Sequence, residues 1–408
     1  MMDRSVPARN AFQETMLGLE FNPRPDDQTD LFSRACVEQY QAADLSRLGY
    51  LFAQVFEPNV LVEVAVLADV PYETVADLTY RPTPSIIRLA ELAANAADLS
   101  VIELINVAAA LISVSRFEAA SKLLESAVAR AANPLETFEV WMLVFVVANR
   151  CDDRKGATRA FERMRAAIET GAVPPDRVVD ACAQAVVWYM KRKEPLAADY
   201  EWYLATGQSI VDRRGRLDPG SISSWYRAVA MVPAAEGDAA KTREFMVYAR
   251  EAAEQAIALR PRAYEKHFEK TYHESSLKEH MYVTRDFDKA EEAGRALIAM
   301  DTAWSPSYAE LGEAYMFFGK PEQAVVMYDK AIQTGPPYYG YYLLEAARVC
   351  VKAGMNEQAL GYYMALSHLV PENEGVLSAG LDLARTTSHE SRPHFEDLLA
   401  QLTPAKIG

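Results

Sequence analysis

Three histidines and two glutamates in one predicted helical segment have the residue types that metal or acid–base chemistry uses. His267, His273 and His280 follow one another closely, and Glu265, Glu269 and His273 are spaced four residues apart. That spacing places the last three on one helix face, where carboxylates and an imidazole could share a metal ion or a proton. One helix rarely completes such a site, and the H-E-x-x-H motif is absent.

The same segment also fits a solvated helix face of mixed charge, because Lys266, Lys270 and Lys278 lie among the acidic residues. We favour this second interpretation. An enzyme or enzyme subunit that uses the cluster near residues 265–280 stays as an alternative. No catalytic residue, metal ligand or cofactor is predicted elsewhere, since the chain has neither a Gly-rich phosphate loop nor a G-x-S-x-G nucleophile turn.

The cysteines do not suggest a metal site or a disulfide framework. They are far apart in the chain and form no C-x-x-C pair. Each is predicted to be a small, buried hydrophobic residue. The four positions are Cys36, Cys151, Cys182 and Cys350.

Composition bounds the location and the partners. The net charge of −15 repels nucleic acid and anionic lipid, so neither is expected as a partner. The first ten residues contain no apolar stretch, which argues against a secretory signal. The longest uncharged runs, Leu104 to Ser115 and Val140 to Asn149, fall well short of the roughly 20 residues that cross a bilayer. We therefore expect a soluble, cytoplasmic protein.

The elements that position these residues are predicted to be helical hairpins. Between Ser305 and Pro371 one pattern of small and aromatic residues occurs twice, offset by 35 residues, and it has the spacing of two helices followed by a proline. The first copy is Tyr308, Leu311, Gly312, Tyr315, Ala324, Tyr328, Ala331 and Pro336. The second copy is Leu343, Ala346, Ala347, Cys350, Ala359, Tyr363, Leu366 and Pro371.

This order and period resemble the tetratricopeptide repeat. A degraded third copy, with Leu277 and Met281 on one helix and Ala290 and Leu297 on the next, extends the resemblance to about residues 271–371. The resemblance implies an all-α fold, an α-α superhelix (solenoid) of antiparallel helix pairs, which binds other proteins and has no chemistry of its own.

Weaker hairpin patterns extend the helical prediction toward the N-terminus. Between Ser100 and Val187 they place four sets of apolar residues on successive helices: Leu104, Val107, Ala108 and Leu111; Ala120, Leu124 and Ala127; Trp141, Val144, Phe145 and Ala148; and Ala157, Phe161 and Met164. The predicted organisation is a flexible lead-in (1–29), an N-terminal helical region (30–99), an irregular helical-repeat region (100–214), a tetratricopeptide-like array (215–371) and C-terminal capping helices (372–408).

A second family resemblance supports a different function. Val60 to Ala93 is similar to the later helices of a repressor-type helix-turn-helix, which implies a transcriptional regulator that joins this domain to helical repeats. Residues 1–121 contain 8 Arg and no Lys against 17 Asp and Glu. Such an acidic domain is poorly suited to phosphate contacts, so we keep the regulator as an alternative.

The tetratricopeptide resemblance also implies a concave groove lined by first-helix residues. Those predicted to line it are Glu313, Met316, Phe317, Tyr341, Leu344, Arg348 and Lys352. The positions where some family members clamp a carboxylate hold Ala309, Glu313, Leu344 and Arg348, so that activity is not expected. The mixed lining predicts a non-enzymatic scaffold or adaptor that binds a peptide or protein segment.

Overall fold

Within the described part of the chain, all regular structure is helical. The computed structural model describes Leu31 and residues 95–113, 117–192, 198–213, 217–302, 304–334 and 338–402. These ranges contain no strand, and consecutive helices pack as antiparallel pairs. The predicted all-α fold of stacked helix pairs is confirmed. The lead-in, most of the 30–99 region, the stretch from Val60 to Ala93 and Cys36 lie outside the described residues.

The described residues form two compact units. The N-terminal unit ends at Thr302 and the C-terminal unit begins at Trp304. The boundary that we predict near residue 215 falls inside the N-terminal unit.

The N-terminal unit is built from hairpins of unequal length. Its helices are α1 (Val101–Ser113), α2 (Phe117–Arg130), α3 (Pro134–Arg150), α4 (Arg154–Glu169), α5 (Pro175–Arg192), α6 (Ala198–Asp212), α7 (Pro219–Val229), α8 (Met231–Glu236), α9 (Ala239–Leu259), α10 (Ala263–Lys278) and α11 (Phe287–Met300). A π-helical turn, Glu279–Val283, extends α10. Successive helices pair, except that α7 packs on α9 with the short α8 between them.

The C-terminal unit contains three more regular hairpins. Its helices are α12 (Ser305–Phe317), α13 (Pro321–Thr334), α14 (Tyr339–Lys352), α15 (Asn356–Leu369), α16 (Glu374–Thr387) and α17 (Arg392–Leu402). Each helix packs on the next one along the chain. The last two correspond to the predicted capping helices.

The core of the N-terminal unit centres on an aromatic cluster. The ring of Phe161 on α4 lies 4.6 Å from Phe145 on α3, 5.7 Å from Trp188 on α5 and 5.5 Å from Tyr203 on α6, measured between centroids. The Tyr203 hydroxyl donates to the Phe161 carbonyl oxygen at 2.6 Å, so its polar atom is satisfied in the interior. One side chain therefore joins four helices.

The repeat pattern correctly identifies the core of the C-terminal unit. The residues of the two predicted copies are buried, with two exceptions: Tyr308 is half-buried and Pro371 is exposed. Pro336 lies outside the described residues. The four residues that we assign to the degraded copy, Leu277, Met281, Ala290 and Leu297, are buried in the N-terminal unit.

A left-handed residue closes most of these hairpins. Gly319 and Gly354 have φ of 70° and 72°, and the following amides, Lys320 and Met355, each donate to a carbonyl five residues earlier at 2.8 Å. Glycine adopts this conformation without a steric penalty, and the bond satisfies a carbonyl at the helix end. Both turns therefore close in the same way, 35 residues apart.

The same turn recurs at non-glycine residues, where the sequence does not reveal it. Ser388 has φ of 54°, and the next amide, His389, donates five residues back to Ala384 at 2.8 Å. Arg285 has φ of 53°, but its turn spans six residues, from Asp286 to His280, because the preceding π-helical turn contains an extra residue. The turn residues at 285, 319, 354 and 388 are thus spaced by 34 or 35 residues.

The pair of α16 and α17 therefore has the geometry of a further repeat. Gly380 on α16 lies against the buried ring of Phe395 on α17, where an added Cβ would come within 2.5 Å of the ring. Gly312 has the same relation to Tyr328, at 3.3 Å. Small residues on the first helix let the aromatic ring of the second approach closely.

Two cysteines match the prediction and one does not. Cys182 and Cys350 are buried, and burial raises the pKa of the Cys350 thiol to about 11. Cys151 is exposed, because it follows the last residue of α3 at the turn into α4, so its predicted burial is wrong. In the ranges that the structure covers, no helix combines the length and apolar character needed to cross a bilayer.

The left-handed turn at Ser388 gives the first prediction. Replacing Ser388, which is exposed, with glycine relieves the steric penalty of positive φ and should stabilise the α16–α17 hairpin by about 0.5–1 kcal/mol. Native-state hydrogen exchange of the α16 and α17 amides measures this. Thr386→Gly, two residues earlier and inside the helix, should instead destabilise the hairpin. Equal effects of the two substitutions would contradict the turn argument.

Candidate functional site

The solvent-facing residues of α12 and α14 form the surface that corresponds to the predicted groove. Because the two helices occupy equivalent places in their hairpins, their exposed positions pair at an offset of 35 residues. The pairs are Pro306 with Tyr341, Glu310 with Glu345, Glu313 with Arg348, Met316 with Val351, and Phe317 with Lys352. None of these ten is classed as buried. We call this set the first-helix surface.

Apolar side chains are exposed at one end of this surface. Phe317 is 41% exposed, with its ring 5.0 Å from that of Phe318, and Met316 beside it is half-buried. Val351 is also 41% exposed. Val351 is missing from the predicted groove residues, although it lies 35 residues after Met316 and the repeat offset alone could have identified it.

Tyr341 provides an aromatic group near the opposite end. Its half-buried ring lies 6.1 Å from the buried ring of Tyr342, which in turn contacts Ser305 through its hydroxyl at 3.3 Å. The Tyr338 ring is buried as well. These three tyrosines are therefore divided between core and surface, and the two buried ones restrict the backbone that carries Tyr341.

The glutamates and Arg348 lie between these apolar groups. Arg348 donates to Glu345 at 2.6 Å, and Glu313 is half-buried on α12. Lys352 is exposed at the end of α14. Leu344 is the exception among the predicted groove residues, since it is 6% exposed and buried where α14 packs between α13 and α15. It supports the surface from inside and does not line it.

The histidine and glutamate cluster has a different environment from the one we predict. On α10 the side chains of Glu265, His267 and Lys270 are all buried, so the interpretation of Lys270 as part of a solvated face is wrong. Lys270 Nζ lies 2.8 Å from Asp301 Oδ2, and both side chains are at most 2% exposed. Glu265 accepts from Arg262 at 2.6 Å. Burial is possible because these charges are paired.

The three histidines of this region do not converge on one point. His267 lies in the interior of the unit, His280 contacts Thr284 Oγ1 through Nδ1 at 3.0 Å, and His273 is half-buried beside the Tyr272 ring. No group of three or more His, Cys, Asp or Glu side chains could share a metal ion in the described part of the chain. The geometry assigns α10 a role in packing and in ion pairing.

Burial also controls the protonation of these histidines. It holds the pKa of His267 well below its ordinary value, with smaller contributions from the charges of Lys270 and Arg227. Burial likewise lowers the pKa of His273 and of His280. All three side chains are therefore neutral near pH 7.

Comparison with known proteins places the chain by its fold. No family model and no curated protein matches the sequence. The structure is similar to yeast Tom70, with a TM-score of 0.51 and 12% identity over 97% of this chain and 75% of Tom70. A tetratricopeptide repeat protein from Parabacteroides merdae also matches, with a TM-score of 0.38 and 12% identity over 70% of this chain and 98% of that one. The chain has a tetratricopeptide-like helical-repeat fold.

The buried ion pair gives the second prediction. Asp301→Asn leaves the Lys270 charge buried without its counter-charge and should cost about 3–5 kcal/mol in the free energy of unfolding, measured in urea. Adding Lys270→Met to Asp301→Asn should restore part of this loss, because the stranded charge is removed.

An exposed ion pair of the same unit is the control for that experiment. Glu118 and Lys122 are about 70% exposed, so Glu118→Gln should change stability by less than about 1 kcal/mol. If Asp301→Asn changed the free energy of unfolding as little as Glu118→Gln does, the result would contradict the burial of the Lys270–Asp301 pair.

The neutral histidines give the third prediction. Because the unfolded chain binds protons at the ordinary pKa of 6.5 and the folded chain does not, stability is fully present above that pH and falls below it. Below pH 6.5, each such histidine lowers the free energy of unfolding by up to about 1.4 kcal/mol for each pH unit. Urea unfolding between pH 7.5 and 5.0 measures the slope, which should be shallower for His267→Gln. Equal slopes for the variant and the wild type would contradict the assignment.

Proposed function

We propose that this protein is a non-enzymatic scaffold or adaptor that binds a peptide or protein segment on its first-helix surface. The observation that carries the proposal is the exposure of apolar and aromatic side chains on a helical-repeat framework. Phe317 and Val351 are each 41% exposed, and Tyr341 is half-buried near the other end. Large apolar side chains in such positions are the usual anchors of protein interfaces.

The packing beneath this surface supports a binding role. Leu344, Tyr342 and the aromatic residues of the second helices are buried, so the exposed groups project from a well-packed core. A surface fixed before binding loses little conformational entropy when a partner docks. Arg348, Lys352 and the glutamates would supply a polar rim around the apolar anchors.

The alternatives receive less support. The burial of His267 and the buried ion pairs of Glu265 and Lys270 favour a structural role for the segment at 265–280 over an enzymatic one. The acidic composition disfavours nucleic acid as a partner. We also propose a cytoplasmic location, because the cysteines are spaced without a disulfide framework.

Substitution of the anchors gives the fourth prediction. Tagged protein is incubated with a lysate of its source organism, and captured proteins are quantified by mass spectrometry. The double variant Phe317→Ala, Tyr341→Ala should lose capture of specific partners by about tenfold or more, because truncating two interface anchors costs more than about 1 kcal/mol each.

Val326→Ala is the matched control for this capture experiment. Val326 is 52% exposed on the second helix α13, outside the first-helix surface, so its truncation should leave capture unchanged. Unchanged capture by the Phe317 and Tyr341 double variant would argue strongly against this surface as the binding site.

A further inference from the structure

We infer that the first-helix surface selects segments with a basic centre between two apolar anchors. This inference rests on the proposed function and specifies the chemistry of the partner. It is drawn from the order of side chains that α12 and α14 share. On both helices an apolar residue lies near the turn, a glutamate lies in the middle, and Pro306 or Tyr341 lies near the helix start, whereas Arg348 and Lys352 of α14 stand where α12 has Glu313 and Phe317.

The spacing of the apolar groups limits the length of the recognised segment. Tyr341 and Val351 are ten residues apart on α14, which corresponds to about 15 Å at the helical rise. An extended chain covers the same distance in about five residues. Two apolar side chains five positions apart in an extended partner would therefore match the two ends of the surface.

The charge between the anchors favours cations. Helix α12 contains Glu310 and Glu313 and neither Lys nor Arg, and Glu345 occupies the position on α14 that corresponds to Glu310. The positive charge of Arg348 is offset by its ion pair with Glu345. The remaining cation, Lys352, lies at the turn end, beyond the glutamates.

The wider charge distribution acts in the same direction. Residues 303–408 contain 7 Lys and Arg against 12 Asp and Glu, a net charge of −5. A negative potential over the surface speeds the approach of basic segments and repels acidic ones. Apolar anchors alone would not discriminate between these two classes, so the glutamates carry the selectivity.

Two defined peptides test this inference on the 408-residue chain. Both are fluorescein-labelled and share flexible Gly-Ser flanks; one contains Leu-Gly-Lys-Lys-Gly-Phe and the other Leu-Gly-Glu-Glu-Gly-Phe. Fluorescence anisotropy at about 50 mM salt should show a preference of about tenfold for the lysine peptide, and this preference should shrink at high salt. Replacing Leu and Phe of the lysine peptide by Ser should weaken binding to wild-type protein.

Variants separate the contribution of the glutamates from that of the anchors. Glu310→Gln with Glu313→Gln should reduce the preference to less than about threefold. The matched control, Glu322→Gln with Glu357→Gln, removes two exposed glutamates from the second helices. It should keep the preference of about tenfold for the lysine peptide. Thermal melts confirm that each variant is folded.

Several results would overturn the inference. They are equal binding of the two peptides, a preference for the glutamate peptide, an unchanged preference in the Glu310 and Glu313 double variant, or no binding of either peptide. The proposed function is tested separately by lysate capture with Phe317→Ala and Tyr341→Ala. Anchor-dependent capture without a lysine preference would retain the interaction surface and reject only the basic partner.

Discussion

The structure depends on closing each helix pair at a fixed place in the repeat. At Gly319, Gly354 and Ser388 a single residue with positive φ reverses the chain, and the next amide satisfies a carbonyl five residues earlier. This bond fixes where the first helix ends, and the close contact of a small residue with an aromatic ring, as at Gly380 and Phe395, fixes how the second helix returns. Because the turn recurs every 34 or 35 residues, equivalent positions on successive first helices face the same side of the repeat.

That regularity explains which parts of the fold can be predicted from the sequence. The small and aromatic residues between Ser305 and Pro371 identify two hairpins because only their size and spacing matter for the packing. The pair of α16 and α17 is predicted only as a cap. Its repeat geometry is hidden in the sequence because Ser388 replaces the turn glycine and Phe395 replaces the tyrosine. The turn at Arg285 is hidden further by the additional residue of the π-helical turn. In both places the positive φ of the turn residue is kept while the residue type changes.

The charged residues of α10 show a different limit of prediction. A lysine surrounded in sequence by glutamate and histidine suggests a solvated face, because the penalty for burying it is large. Lys270 is nevertheless buried, since Asp301, 31 residues later, supplies the opposite charge. No periodic pattern links the two positions, so the sequence gives no sign of the pair. The histidines that suggest a metal site in the sequence are also buried or half-buried, and they do not converge on one point.

The repeat determines the side-chain types at the packed positions of the first helices but leaves those of the first-helix surface free to vary. Packing requires small or aromatic residues at positions such as Gly312 and Tyr328, but it places no such demand on the outer positions. Those positions could therefore be filled by any polar residue that favours a helix. Here they hold apolar groups at the turn end, where Phe317 and Val351 lose favourable free energy by remaining in water. Neither side chain is required by the hairpin contacts that define the fold. In the function that we propose a partner covers both of them, and the glutamates between the anchors would then limit which partner can do so.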